Sequence, residues 1–527
     1  MPIRSVWLTL IASGLACFAV LLSHAASAAA PEVKTHQGTL QGQDVGGGIS
    51  AFLGIPFAAP PVGPLRWQPP KPAVSWSGIR PAVTYSPACT QDRAGYGGLF
   101  AKSQSEDCLY LNLWSPDLKP RRRMPVMVYL HGGGFTGGAG TIPTFDGIAL
   151  GKKAVITVTI NYRLGVFGFF AHPELTRESS HKASGNYGLA DQLAALRWVK
   201  DNIAAFGGDP TRVTIFGQSA GSVSVMDLMA SPLSRGLITG AIAESGTPLL
   251  GGGGTLLADA EKQGSAFADA QGQSITQLRA ISADELMQRW SKFAASGGGR
   301  AWPIVDGWVL PKAPAAVFAS HSEMAIPLMT GSNAREALHV PSDSELPQRL
   351  RDVFGDAATR AAALYPTSMT PDPILGTAAN MFATDISFRC PAVIIETWHA
   401  QKGSPVYAYQ FEQTFPGREA AGSQHSDEVS FVFGTLNMMK MMWGGAEVPE
   451  PTAKLSDAMV TYWANFAKSG DPNGPGVPAW PRFTTKDAAF LHLNGAGIRA
   501  DTKLRGEACD FYRETAMPRM LTRNALP

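Results

Sequence analysis

The sequence predicts an α/β fold with a large, mostly parallel sheet covered by helices on both faces. Residues Met124–Leu130 have the composition of a buried strand, and Val213–Phe216 form a second run rich in β-branched side chains. Residues 189–206 predict a helix, because large apolar side chains recur at steps of three and four and Gly207-Gly208 ends the pattern. Strands that alternate with such helices indicate a parallel sheet.

Composition is that of a large globular protein. The chain has 527 residues, of which 45% are hydrophobic, and a formal net charge of +2. The near-balanced charge offers no polybasic surface for nucleic acid, so we expect no nucleic-acid partner. The informative motifs extend from residue 52 to residue 434, which favours a single domain over residues 29–527 with insertions. The glycine runs Gly251–Gly254 and Gly297–Gly299 are expected to be loops within that domain.

A strand, a sharp turn and a helix are predicted around one serine. The run Val213–Phe216 leads into Gly217-Gln218-Ser219-Ala220-Gly221, and Ser222–Met229 follows without a helix breaker. Such a turn is strained, and small residues on either side let the backbone and the following helix approach closely. The helix start beneath Ser219 offers unpaired N–H groups where an oxyanion would form. Ser219 is therefore the candidate nucleophile.

A glycine loop follows the first buried strand. Met124–Leu130 runs into His131-Gly132-Gly133-Gly134-Phe135, which has the form of a loop that supplies backbone N–H donors to an acyl-transfer oxyanion. Glycines are needed there because a side chain would keep the carbonyl oxygen from the amides. The chain order of loop, serine, acid and histidine is the one found in α/β-hydrolases.

The chain resembles the type-B carboxylesterase/lipase family, which includes the cholinesterases. Besides the two motifs above, the matching segments are 57–63, 105–112, 161–165, 185–192 and 206–210. The resemblance covers nearly all of the chain after residue 28 and implies the α/β-hydrolase fold. Two positions depart from the family pattern: Gln218, where the family more often has Glu, and Ser222, where it often has Gly or Ala.

His425 is the candidate general base. It lies in Gly422-Ser423-Gln424-His425-Ser426-Asp427-Glu428, after the predicted strand Pro405–Phe411, and the segment matches the histidine loop of the family. Of the other nine histidines, His131 is expected to shape the glycine loop. His24 and His36 lie in or just after the leader, and the remaining six are expected at surface or hydrogen-bonded core positions.

The acid that orients the histidine is expected to be Glu336. The predicted strand Ile326–Thr330 is followed by Gly331-Ser332-Asn333-Ala334-Arg335-Glu336, which resembles the family's acid loop. A surface Glu336 paired with Arg335 is the alternative. Asp306 and Asp385 are the alternative candidates for the acid, although a structural role is the favoured interpretation for both.

The resemblance implies a carboxylic ester hydrolase that works through an acyl-enzyme. The N–H groups of Gly133, Gly134 and Ala220 are expected to hold the oxyanion. The sequence has no H-E-x-x-H, C-x-x-C or P-loop motif, so no metal or other cofactor is expected. Two alternatives remain: a lipase with a mobile apolar lid, and a non-catalytic adhesion or binding module of the same fold.

The expected substrate is a small-molecule ester that is uncharged or bulky. Choline-ester hydrolases of the family carry a tryptophan in the loop that corresponds to Thr90–Asp107. Here that loop has only Tyr96 and Phe100 as aromatic residues. Gln218 is also neutral. The glycines before Trp302 stand where cholinesterases have bulky phenylalanines, which predicts room for large acids.

The first 28 residues are predicted to be a signal peptide. Arg4 precedes an apolar run, Val6–Leu22, and Ala26-Ser27-Ala28 supplies small residues for cleavage. A retained membrane anchor is the alternative interpretation, but no stable anchor is expected after cleavage. Because no Asn-X-Ser/Thr acceptor is present, a bacterial secreted or periplasmic protein is favoured. The sequence carries no signal for an oligomeric state.

Four cysteines remain after residue 28, an even number that indicates disulfides in an oxidising compartment. The resemblance pairs Cys89 with Cys108, which leaves Cys390 with Cys509. It also implies two internal ion pairs, one between Arg163 and Asp191 and one between Arg66 and Glu106.

Overall fold

One long sheet runs through the protein. The computed structural model describes residues 30–92, 101, 103–250, 254–336, 339–438, 445 and 447–519; the predicted signal peptide lies outside these ranges. The sheet strands are β1 (Gln43–Asp44), β2 (Ser50–Pro56), β3 (Tyr110–Ser115), β4 (Met124–Leu130), β5 (Ile156–Ile160), β6 (Gly208–Gln218), β7 (Gly240–Glu244), β8 (Leu328–Asn333), β9 (Val406–Phe411), β10 (Ala489–Leu493) and β11 (Arg499–Thr502).

The sheet is parallel in its middle and antiparallel at both edges. Its strand order is β11-β10-β9-β8-β7-β6-β4-β5-β3-β2-β1. The seven strands from β10 to β5 are parallel, as the sequence predicts. The pairs β10–β11, β5–β3, β3–β2 and β2–β1 are antiparallel. The short connection from Leu493 to Arg499 leaves no room for a crossover helix, so β11 must return as a hairpin.

Smaller strands lie outside this sheet. Their ranges are Glu32–Lys34, Thr39–Gln41 and Ile79–Pro81 in a three-stranded sheet, Ala88–Cys89 paired with Gln104–Ser105, and Thr255–Leu256 paired with Ile304–Val305.

The α-helices lie between and after the sheet strands. They are α1 (Ile148–Lys152), α2 (Gly165–Phe169), α3 (Pro173–Glu178), α4 (Tyr187–Asn202), α5 (Ala220–Ala230), α6 (Leu257–Gln271), α7 (Ile275–Ala280), α8 (Ala283–Ala295), α9 (Pro314–Ala319), α10 (Leu346–Phe354), α11 (Ala358–Leu364), α12 (Ala378–Thr384), α13 (Cys390–Gln401), α14 (Val429–Val432), α15 (Glu450–Ser469) and α16 (Gly506–Thr515). A π-helical turn, Asp385–Arg389, joins α12 to α13.

Both faces of the sheet are buried. Along β4, Val126 and Val128 pack into one apolar core, together with residues of α4. The alternate residues Met127 and Tyr129 pack into a second core, together with residues of α15. Successive side chains of a strand point to opposite faces, so a strand buried on both sides has no polar alternation. This explains the continuous apolar run of β4.

The predicted helix over residues 189–206 is present with altered limits. α4 begins at Tyr187 and ends at Asn202, and a 3₁₀ turn continues it to Phe206. Gly207 follows with φ of +86°, the left-handed conformation with which glycine ends helices.

Two disulfides and two bidentate ion pairs are present as the resemblance implied. Cys89 is bonded to Cys108 and Cys390 to Cys509. Asp191, buried in α4, accepts from two guanidinium nitrogens of Arg163, and Glu106 accepts likewise from Arg66. No helix among the described residues is long and apolar enough to cross a membrane.

Candidate active site

Ser219 lies at the carboxyl end of β6, on a strained turn into α5. It has φ of +59° and ψ of −122°, and its N–H donates to the carbonyl of Glu244 over 2.8 Å. A methyl group on Gly221 would overlap the carbonyl oxygen of Leu130, and one on Gly217 would lie 2.6 Å from it. The two glycines therefore let β6 and α5 pass the end of β4 closely, which projects Ser219 above the sheet.

The glycine loop lies directly against Ser219. A methyl group on Gly132 would lie 3.1 Å from the Cβ of Ser219. Gly133 and Gly134 have φ of +110° and +63°, where side chains are disfavoured. Within the described residues, the N–H groups of Gly133, Gly134 and Ala220 donate no hydrogen bond. Three free donors thus lie on the two segments that meet at Ser219.

His131 and Gln91 hold the glycine loop in place. The imidazole of His131 stacks on Tyr162 and hydrogen-bonds the carbonyl of Gly132, and burial lowers its pKa to about 4. His131 is therefore neutral at neutral pH and shapes the loop as expected. Gln91 donates to the carbonyl of Gly138 and accepts from its N–H. Sequence reasoning missed Gln91; its only signal was its place beside Cys89.

His425 and Glu336 form a direct hydrogen bond. Nδ1 of His425 lies 2.6 Å from Oε2 of Glu336, and the other carboxylate oxygen accepts the N–H of Asn333. Glu336 is fully buried, whereas the alternative interpretation required a surface carboxylate. Arg335 does not pair with it and instead donates to four backbone carbonyls. Since a carboxylate accepts, Nδ1 carries the proton and Nε2 keeps its lone pair.

The two rival acids lie in other hydrogen-bond networks. Asp306 accepts the N–H groups of Trp308 and Leu310 within its own loop. Asp385 is buried in the π-helical turn, where it pairs with Arg389 and Arg505. Neither carboxylate is hydrogen-bonded to His425.

A group of acids surrounds the His425–Glu336 pair. Glu428, which follows in the histidine loop, accepts from Asn333 and from Ser245. Burial, followed by the charge of Glu336, raises the pKa of Glu428 to about 8. Sequence reasoning quoted this residue within the loop but gave it no role.

The pKa of His425 is raised despite burial. Burial acts to lower it, but the hydrogen bond and the negative charge of Glu336 outweigh that effect. The charges of Glu428 and Asp427 act in the same direction. Phe388 packs against the ring with centroids 4.9 Å apart, and the amide of Gln218 contacts its nitrogens. The carboxyl end of β6 and the histidine loop thus meet at the imidazole.

The sequence matches the model of the carboxylesterase family over residues 29–512. Fumonisin B1 esterase from Sphingopyxis macrogoltabida is 37% identical, over 85% of this chain and 84% of that protein. Liver carboxylesterase 1 from Oryctolagus cuniculus is 35% identical, over 97% of this chain and 99% of that one. A solved thermophilic PNB esterase has a TM-score of 0.80 and 33% identity, covering 91% of this chain and 99% of its own.

The chain belongs to the carboxylesterase family. The carboxylesterase has the α/β-hydrolase fold that the resemblance implied, and it is a carboxylic ester hydrolase. Family membership implies small-molecule ester substrates.

Aromatic side chains of the carboxylesterase line one side of the glycine loop. Phe135, which follows Gly134, meets Trp302 edge to face with centroids 4.7 Å apart. Arg300 stacks over Trp302, and a cavity of about 100 Å³ lies between these residues and α6. Tyr96 and Phe100 lie outside the described residues. Within the described part of the carboxylesterase, no three His, Cys, Asp or Glu side chains cluster to hold a metal ion.

Proposed function

We propose that the carboxylesterase cleaves its substrate through an acyl-enzyme on Ser219, with His425 as base and Glu336 as the acid that orients it. The observation that carries this proposal is the hydrogen bond from His425 Nδ1 to the fully buried Glu336, next to the serine turn. An imidazole held in this tautomer presents the Nε2 lone pair to a proton donor.

The acylation step begins with attack of Ser219 Oγ on the ester carbonyl carbon while its proton moves to His425 Nε2. The bond to the alcohol oxygen then breaks, and Nε2 returns the proton to that oxygen. Glu336 keeps its hydrogen bond to Nδ1 and stabilises the imidazolium. Within the described residues Ser219 Oγ makes no hydrogen bond, so it is free to turn toward Nε2 when substrate binds.

Deacylation repeats the proton transfers with water as the nucleophile. His425 takes a proton from the water as its oxygen attacks the acyl carbon, and the bond to Ser219 Oγ then breaks with return of the proton to Oγ. In both steps negative charge develops on the carbonyl oxygen. The free N–H groups of Gly133, Gly134 and Ala220 are the proposed donors to that charge, and removal of one such donor typically costs about 3 kcal/mol of transition-state stabilisation.

An uncharged or bulky carboxylic ester is the proposed substrate. Gln218, the residue before Ser219, adds no charge to the site, and the half-buried Trp302, packed edge to face on the buried Phe135, offers an apolar wall. The names of two relatives, a fumonisin B1 esterase and a PNB esterase, describe esterases of different substrates, so they support the class rather than one ester.

The proposed location is outside the cytoplasm, with residues 1–28 removed as a signal peptide and residues 29–527 forming a single domain. The two disulfides support an oxidising compartment. A bacterial periplasmic or secreted enzyme without a membrane anchor is the form we propose.

A fluorophosphonate probe followed by peptide mass spectrometry tests the proposal. We expect the adduct on Ser219, and we expect Ser219→Ala to abolish labelling and lower kcat by several orders of magnitude while the protein stays folded. Ser222→Ala, three residues along α5, is the matched control and should still be labelled. An adduct on another serine would contradict the assignment, and an absence of labelling and of ester hydrolysis would favour the non-catalytic alternative.

A further inference from the structure

Gln218 makes an unusual contact with the proposed base. It is the last residue of β6, directly before Ser219, and its side chain is buried. Its Nε2 lies 3.2 Å from Nε2 of His425 and 3.5 Å from Nδ1. The proposed mechanism uses Gln218 in no step, although Gln218 contacts the imidazole that transfers a proton in acylation and again in deacylation.

The two distances define where the amide lies. The ring nitrogens stand on opposite sides of Cε1, so a donor aligned with the Nε2 lone pair would be much farther from Nδ1 than from Nε2. Nearly equal distances mean that the amide nitrogen lies against the ring, off the axis of that lone pair. Gln218 therefore braces the imidazole without blocking the position that receives the proton of Ser219.

The charges around the imidazole explain why a neutral group matters here. Acids lie on the elements around the ring. Glu336 follows β8, Asp427 and Glu428 lie in the histidine loop, and Glu244, at the end of β7, lies beside Glu428. In the π-helical turn, Phe388 packs on the ring, and the neighbouring Asp385 and Arg389 form an ion pair. On β6 the group in contact is the uncharged amide of Gln218. A carboxylate at that place would add one more negative charge in direct contact with the ring.

We propose that Gln218 is a positioning residue for the base. Its amide braces the ring of His425, and because the amide is neutral it does not stabilise the protonated imidazole as a carboxylate at that position would. This inference rests on the proposed function, because it concerns the pH range in which the same histidine, His425, can act as the base. His425 accepts the proton of Ser219 only in its neutral form. Anything that stabilises the imidazolium in the free enzyme therefore moves the acid limb of kcat/KM to higher pH.

Three variants test this role by the pH profile of kcat/KM on an uncharged ester. Gln218→Glu places a carboxylate against the ring, and we expect the acid limb to move to higher pH by about one unit or more, with activity recovered at alkaline pH. Gln218→Met fills similar space without an amide or a charge. It should leave the limb where it is and lower kcat several-fold with little change in KM, because the ring is less well braced.

Gln424→Glu is the matched control. It makes the same chemical change one residue before His425, but its side chain is exposed and paired with Arg418. Solvent screens a charge there, so the limb should move far less than in Gln218→Glu.

The outcomes separate this inference from the function on which it rests. An unchanged limb in Gln218→Glu, or one that moves no more than in Gln424→Glu, would overturn the charge argument. Full kcat in Gln218→Met would overturn the bracing role. If Gln218→Glu does not fold, the kcat of Gln218→Met still decides whether the amide positions the ring. A parent enzyme that hydrolyses no ester, or is labelled away from Ser219, would instead contradict the proposed function.

Discussion

Glu336 and His425 lie 89 residues apart in the chain, yet their side chains meet at 2.6 Å through Oε2 and Nδ1. The N–H of Asn333 holds the other carboxylate oxygen, and the fully buried Arg389 donates to the carbonyl of Ala334 in the same loop. Glu336 is thus fixed by backbone and side-chain contacts before it orients the imidazole, which makes it the first residue to test.

We expect Glu336→Gln to lower kcat by about three to four orders of magnitude with little change in KM, because an amide no longer stabilises the imidazolium. The pH profile should change as well. Glu336 raises the pKa of His425, so removing its charge should move the acid limb of kcat/KM to lower pH. Steady-state kinetics across pH measure both effects, and a near-normal kcat would contradict the assignment.

Amide variants of the rival acids should behave differently. Asp306→Asn should reduce expression or thermal stability, because the buried carboxylate of Asp306 accepts two backbone N–H groups of its own loop. Asp385→Asn should destabilise the protein through the buried Arg389, which would lose its ionic partner. In both variants, the fraction of the protein that folds should retain the kcat of the parent. A folded Asp385→Asn without activity, beside an active Glu336→Gln, would reverse the assignment of the acid.

Glu396→Gln should stabilise the protein at alkaline pH. Burial raises the pKa of Glu396 to about 8, well above the value of about 4.3 expected in the unfolded chain. Between these two pKa values the unfolded state loses the proton and the folded state keeps it, so the stability of the parent falls as pH rises by up to about 1.4 kcal/mol per unit. The amide removes this loss, and the gain should grow from pH 5 to pH 8.

Thermal unfolding at several pH values measures that gain. Glu507→Gln is the matched control, because Glu507 is exposed and lines the same cavity of about 360 Å³ as Glu396. Its effect on the unfolding temperature should be small at every pH. A constant difference between Glu396→Gln and the parent from pH 5 to pH 8 would contradict the raised pKa.

Uncharged esters should be hydrolysed at least as efficiently as choline esters of the same acid. Residues 90–107 contain no tryptophan, and Gln218 carries no charge, so the sequence supplies neither the tryptophan face nor the adjacent anion that favours a cationic alcohol; Tyr96 offers at most a weaker aromatic face. The measurement is kcat/KM for butyrylcholine against 3,3-dimethylbutyl butyrate, its neutral isostere. A tenfold advantage for the choline ester, about 1.4 kcal/mol, would reveal a cation site.

Local steric requirements made much of the fold and the site predictable. Met124–Leu130 has the predicted limits, since a strand buried on both faces has a distinctive apolar run. Ser219 and the glycine loop were found for the same kind of reason: a strained turn and a close backbone approach admit few residue types, so they leave a readable motif.

Contacts across the sheet were decided by the tertiary structure alone. The resemblance proposed Glu336, but the choice among it, Asp306 and Asp385 as the partner of His425 depended on which loops meet at the ends of β8 and β9. The same is true of Gln218, whose amide reaches His425 across 207 positions of sequence. No short sequence motif identifies a neutral amide or a buried acid that acts at a site. Their roles follow from burial and from the charges that the fold brings together, which a linear sequence does not contain.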